Sequence, residues 1–127
     1  MKKRGLIVID LQNEYLPTGK LPLSGIEAAA GNAANVIADA REKGIPVFRI
    51  RHEMSSSEAP VFVPGTDGVE TQPAVAPVGD EPIIVKNHIN AFRDTDLKQQ
   101  LEAHGVEEVV IVGAMYLSFS LPQLLLP

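Results

Sequence analysis

Gly5-Leu-Ile-Val-Ile-Asp10 decides how this chain is read. Four apolar residues stand together between a glycine and an acid. A run this short and this continuous reads as a strand buried on both faces. Two further runs repeat the theme: Pro82-Ile-Ile-Val-Lys86, and Val109-Val-Ile-Val-Gly113-Ala-Met115. Asp10 closes the first run and Lys86 closes the second. An acid and a base therefore stand at predicted strand ends.

The segments between these runs supply the helices. Residues 13–25 carry Pro17, Gly19, Pro22 and Gly25 and read as a loop. From Ile26 to Lys43 the apolar positions Ile26, Ala30, Ala33, Ile37 and Ala40 recur at helical spacing. Gly44 stops that helix and Ile45 follows as its hydrophobic partner. Pro46 to Ile50 is a second strand. Residues 54–80 are rich in Ser, Pro and Gly and read as one long loop with room for a short turn, a length typical of lids or disordered segments. Thr95 is the expected N-cap of a helix carrying Leu97 and Leu101 on one face. His104-Gly105-Val106 ends it by the design of Lys43-Gly44-Ile45. Strand–helix–strand thus appears twice, which predicts an α/β fold with a parallel sheet. Ligands of such sheets gather beyond the carboxyl ends of the strands, where Asp10, Lys86 and the segment after Val112 converge.

With 127 residues the chain is at most one domain. A net charge of −5 without a basic stripe argues against a nucleic-acid surface. Lys2-Lys3-Arg4 precedes only Leu6–Ile9 before Asp10 intervenes, too short for a signal peptide or a membrane span. No cysteine is present, which fits the cytoplasm and removes disulfides and thiolate metal sites.

The three runs together resemble the isochorismatase-like cysteine hydrolases. Leu6-Ile-Val-Ile-Asp10-Leu-Gln12-Asn-Glu-Tyr resembles their first motif. Ile84-Val-Lys86-Asn-His-Ile-Asn-Ala-Phe92 resembles the second, and Val109 to Met115 resembles the run into the third. The resemblance implies a three-layer α/β/α sandwich of Rossmann-like topology. It also implies hydrolysis of a small C–N (amide or carbamoyl) or vinyl-ether substrate, no cofactor, and self-association into a homo-oligomer. By this resemblance Asp10 is the general base, Lys86 the electrostatic partner, and Ala114–Met115 the place of an unusual cis peptide beside the oxyanion loop. Gln12, His52 and Phe92 are expected near the substrate, with loop ordering for Gln12, a solvated strand end for His52 and packing for Phe92 as the plainer alternatives.

The sequence departs from the family at the nucleophile. Counting forward from Gly113-Ala-Met, the cysteine position is Phe119. Ser118 and Ser120 flank it, but an alcohol is harder to activate than a thiol. The expectation is a partial hydrolase domain over 1–115 and a divergent apolar tail over 116–127, with the family's C-terminal strands and helices absent. Catalysis is then expected to fail for want of a nucleophile, leaving a non-catalytic small-molecule-binding or partner role as the alternative. Metal-binding relatives carry an Asp-x-His pattern, and Arg49-Ile-Arg-His-Glu53 lacks it, so no metal is expected. The fourth strand is expected to end the sheet as a raw edge.

Overall fold

A computed structural model describes residues 3–113 and the backbone of residues 116–120. The elements run β1 (Arg4–Ile9), α1 (Ile26–Glu42), β2 (Val47–His52), β3 (Ile83–Lys86), α2 (Leu97–Ala103), β4 (Glu108–Val112) and β5 (Tyr116–Ser120). They form one sheet in the order β3-β2-β1-β4-β5. The first four strands are mutually parallel, and β5 lies antiparallel on β4.

The apolar runs are continuous because each strand feeds two cores. Successive side chains of a strand point to opposite faces. Leu6, Val8, Val47 and Val112 join the α1 residues Ile26, Ala33, Ile37 and Ala40 on one face. Ile7, Phe48, Ile50, Ile84 and Val109 meet Leu97 and Leu101 of α2 on the other. The architecture is therefore α/β/α. No helix among the described residues is long and apolar enough to cross a membrane.

All five apolar positions read for α1 are buried. Both helices stop as their sequences imply. Gly44 takes φ 72° and the Ile45 N–H reaches back to the Ala40 carbonyl at 2.8 Å. Gly105 takes φ 68° and the Val106 N–H reaches the Leu101 carbonyl at 3.0 Å. Glycine suits both positions because only it enters the left-handed region without a Cβ penalty. The start of α2 differs from expectation. Asp96 occupies the N-cap position without a side-chain cap. Thr95 sits one residue earlier, where its hydroxyl donates to the Ala91 carbonyl at 2.6 Å and accepts the Leu97 N–H at 3.4 Å.

Two expectations need correction. β4 does not end the sheet, because residues 116–120 pair with it from Val112↔Tyr116 to Glu108↔Ser120. Tyr116 and Phe119 are of the aromatic type that strands favour. The segment 54–80 is also not a free lid. It carries short 3-10 turns at Asp67–Val69 and Pro73–Val75, and it buries Phe62, Val69, Gln72 and Val75.

An ion cluster ties that segment to the sheet. Arg49 points from β2 to the α1 side and is 1% exposed. Its guanidinium donates to the carbonyls of Val75 and Ala76 at 2.6 and 3.1 Å and to Glu81 at 2.8 Å. Arg41 of α1 grips the same carboxylate with two bonds of 2.8 and 2.9 Å. The hydrogen bonds from Arg41, with the Val78 N–H and Arg49, hold Glu81 down to about 2 from 4.5. Glu81→Gln leaves a buried guanidinium short of its counter-charge, so stability should fall by about 3 kcal/mol at pH 7. A depressed carboxylate stabilises the fold above its unfolded value and loses that contribution on acidification. The gap between parent and variant, measured by urea unfolding, should therefore close as pH falls from 4.5 to about 2.

Candidate active site

Register brings the site together. β1, β2 and β3 run parallel, with Ile9 opposite Ile50 and His52 opposite Lys86. Asp10 continues the ladder one step past β1 by donating its N–H to the Ile50 carbonyl at 3.1 Å. It then turns at φ 57°, a left-handed conformation that Asp tolerates better than most residues. At the end of β4, an added Cβ on Gly113 would stand 2.8 Å from the Ile9 carbonyl, so only glycine allows the two strand ends to approach.

Lys86 is 4% exposed. Its amino group lies 3.5 Å from Asp10 Oδ2, 3.3 Å from His52 Nδ1 and 3.3 Å from the His88 carbonyl. Three N–H donors thus face three acceptors. The other carboxylate oxygen, Asp10 Oδ1, is buried with no hydrogen-bond partner among the described residues. Burial raises the Asp10 pKa above the ordinary carboxylate value, against the opposing charges of Lys86 and His52. Burial and the Lys86 charge lower that of His52, with Asp10 opposing. Burial and then the Asp10 charge raise that of Tyr15. A cavity of about 170 Å³ opens beside Asp10, lined also by Ile9, Leu11, Tyr15, Leu23 and Ile26.

Gln12 is 1% exposed and its amide is committed to backbone. Its Oε1 accepts the His52 N–H at 2.9 Å, and its Nε2 donates to the carbonyls of His52 and Val69, both at 2.8 Å. It stitches the ends of β1 and β2 to the 54–80 segment. Phe92 packs against the α2-side core. Phe119 is not brought to the pair. Its backbone pairs with Val109, which lies beside Gly5 at the start of β1. Gly5 and Ile9 are four residues apart along a strand, about 13 Å. Ala114 and Met115 lie outside the described residues.

Sequence reasoning missed Glu14. Its carboxylate is buried and accepts the N–H groups of Phe62 at 2.8 Å and Lys20 at 3.1 Å. A Cβ on Gly68 would lie 2.5 Å from it, so this glycine makes room for the carboxylate. Phe62, held at φ 53°, places its ring edge-on to Tyr15 at 5.4 Å and His52 at 5.5 Å. Among the described residues no group of three or more His, Cys, Asp or Glu is placed to hold a metal ion.

The isochorismatase domain model matches residues 4–116. The isochorismatase family protein YddQ of Bacillus subtilis is 44% identical over 110 residues, covering 87% of this chain and 61% of that protein. Maleamate amidohydrolase of Pseudomonas putida is 33% identical over 88% of this chain and 59% of its own length. A solved isochorismatase hydrolase structure from Oleispira antarctica superposes with a TM-score of 0.84 at 44% identity, covering 90% of this chain and 62% of that one. The chain spans about three fifths of the length of the curated relatives it matches.

Replacing Gln12 by Leu leaves the His52 N–H and the carbonyls of His52 and Val69 without their partner. Stability should drop by about 3 kcal/mol. Amide exchange should show the loss of protection centred on residues 52 and 69–72, with α2 spared.

Proposed function

The chain belongs to the isochorismatase family, and on that footing we propose that it carries the acid/base and cation half of a hydrolase site for small C–N substrates, amides or carbamoyl compounds, or for a vinyl ether. The observation that carries this reading is the Lys86 amino group 3.5 Å from an Asp10 carboxylate whose second oxygen is buried and, among the described residues, unpartnered. Asp10 is the general base. A carboxylate whose pKa is raised by burial takes a proton more readily near neutral pH than an exposed one. Lys86 steadies negative charge on the attacking group or on the substrate oxygen. That maleamate amidohydrolase is a relative supports an amide as the ligand class.

The family's chemistry also needs a nucleophile, and the 127 residues contain no cysteine. As written, therefore, the chain binds its small-molecule ligand without turning it over. A second reading, a binding or partner protein that has kept the pocket and lost the chemistry, is favoured by one specific observation. The backbone of Phe119 pairs beside Val109, away from Asp10.

Titration of the full chain with maleamate, followed by calorimetry and by ammonia release, tests the site. Saturable binding without ammonia is expected. Lys86→Ala should weaken it about tenfold, some 1.4 kcal/mol. Ammonia release abolished by Asp10→Asn would overturn the inactivity. Absence of binding would remove the pair from consideration as a site for this ligand.

A further inference from the structure

His52 stands where a substrate-facing residue was expected, yet its contacts point elsewhere. Its Nδ1 lies 3.3 Å from the Lys86 amino group. Its backbone is clamped on both sides by the Gln12 amide, N–H at 2.9 Å and carbonyl at 2.8 Å. The Phe62 ring meets the imidazole at 84° with centroids 5.5 Å apart, and the Glu14 carboxylate holds the Phe62 N–H at 2.8 Å. The backbone of His52 is therefore anchored, its imidazole is flanked by Phe62, and its Nδ1 is directed at an ammonium.

An ammonium has donors only, so the facing nitrogen must be an acceptor. We propose that His52 is a positioning residue for Lys86: its Nδ1, as the acceptor of a neutral imidazole protonated at Nε2, holds the Lys86 amino group beside Asp10. This rests on the reading of Asp10 and Lys86 as the functional pair. Without His52, Lys86 keeps Asp10 at 3.5 Å and the His88 carbonyl at 3.3 Å. Those two acceptors leave the third N–H of a buried ammonium unpaired, and the amino group is free to shift away from Asp10.

The arrangement has a pH sense. The titratable groups facing His52 are Lys86 from β3, Asp10 from the end of β1, and His88 from the segment after β3. His88 is itself 3.2 Å from Asp94. Burial, Lys86 and His88 all favour the neutral imidazole, and Asp10 alone favours the charged one. Protonation of Nδ1 would set a donor and a like charge against Lys86. Because the His52 pKa lies below its ordinary 6.5, the unfolded chain takes up the proton first. Stability and the Lys86 contact are complete above 6.5 and are lost as pH falls through the folded value.

The test uses the full chain labelled with ¹⁵N and reads the His52 ring and the Lys86 ammonium by NMR. His52→Asn places an amide oxygen near the Nδ1 position without a titratable group. His52→Leu removes the acceptor. At pH 7 the ring should be the Nε2–H tautomer, with the Lys86 resonance protected from exchange. In the parent, the Lys86 ammonium nitrogen shift should move with the midpoint of His52 on acidification. In His52→Asn it should not titrate over that range, and in His52→Leu the protection at pH 7 should be lost. Maleamate affinity should fall about tenfold in His52→Leu and recover in His52→Asn. An Nδ1–H tautomer, or a protected Lys86 resonance in a folded His52→Leu, overturns the proposal. If His52→Leu does not fold, the tautomer and the shared midpoint in the parent decide. If Lys86 follows His52 while maleamate fails to bind any variant, positioning stands and the functional reading falls.

Discussion

Burial of β1 on both faces is the constraint from which the rest follows. β1 pairs with β2 on one side and β4 on the other, and Leu6, Ile7 and Val8 are each 2% exposed. β1 carries no polar side chain from Leu6 to Ile9. The first one after the run is Asp10, at the carboxyl rim. β3, two strands away, likewise holds its one polar side chain at its end. Its outward residues Ile83 and Val85 are partly exposed at the sheet edge, while Ile84 and Lys86 point inward. The inward phase of that alternation takes Lys86 under the rim, where it meets Asp10. The pairing of acid and base is thus a product of parallel register and period-two alternation before it is a matter of chemistry.

The 54–80 segment is the second support. Long connections rich in Pro, Gly and Ser are expected to be mobile, yet this one has a core of its own. Gln12 and Glu14, two residues apart after β1, each send a buried polar side chain into it. Gln12 takes the Val69 carbonyl and the backbone of His52, while Glu14 takes the Phe62 N–H. On the far side Arg49 takes the carbonyls of Val75 and Ala76. Buried polar groups need partners, and here the loop's own backbone supplies them. The loop is ordered because three side chains of the scaffold would otherwise be unsatisfied.

This explains what was legible in the sequence and what was not. The α1 stripe from Ile26 to Ala40, the Gly44 and Gly105 stops, and the four parallel strands are local patterns. Their signal is periodicity within a few residues, and each element appears where it was read. Asp10 and Lys86 were readable because strand ends in a parallel sheet share one rim. Glu14, Arg49 and Glu81 were not readable, because their partners are distant in sequence. Arg49 meets Glu81 across 32 residues and Glu14 meets Phe62 across 48. A charged residue inside Val47-Phe-Arg-Ile50 announces that a counter-charge must exist without saying where. Thr95 was misplaced by one residue because a hydroxyl that suits an N-cap also suits the preceding turn. β5 was passed over because five residues of mixed aromatic and serine character carry a weak pattern until a neighbour such as β4 offers its edge.

The position of Phe119 bears on chemistry in a way that substitution alone does not. Motif counting treats the nucleophile as a residue type at an index, so the loss appears to be one side chain. The register describes a different loss. β5 runs back along β4, and each step from Tyr116 to Ser120 carries the chain further from the rim, from Val112 down to Glu108. Phe119 pairs with Val109, whose neighbour on β1 is Gly5, at the end of the strand opposite Asp10. A cysteine side chain at that index cannot span the roughly 13 Å that separates the two ends of the strand. On the proposed reading, hydrolysis at Asp10 and Lys86 therefore needs two things: a nucleophilic atom, and its placement at the rim. The Asp10–Lys86 pair, with His52 behind Lys86, depends on neither, because β1, β2 and β3 alone set it.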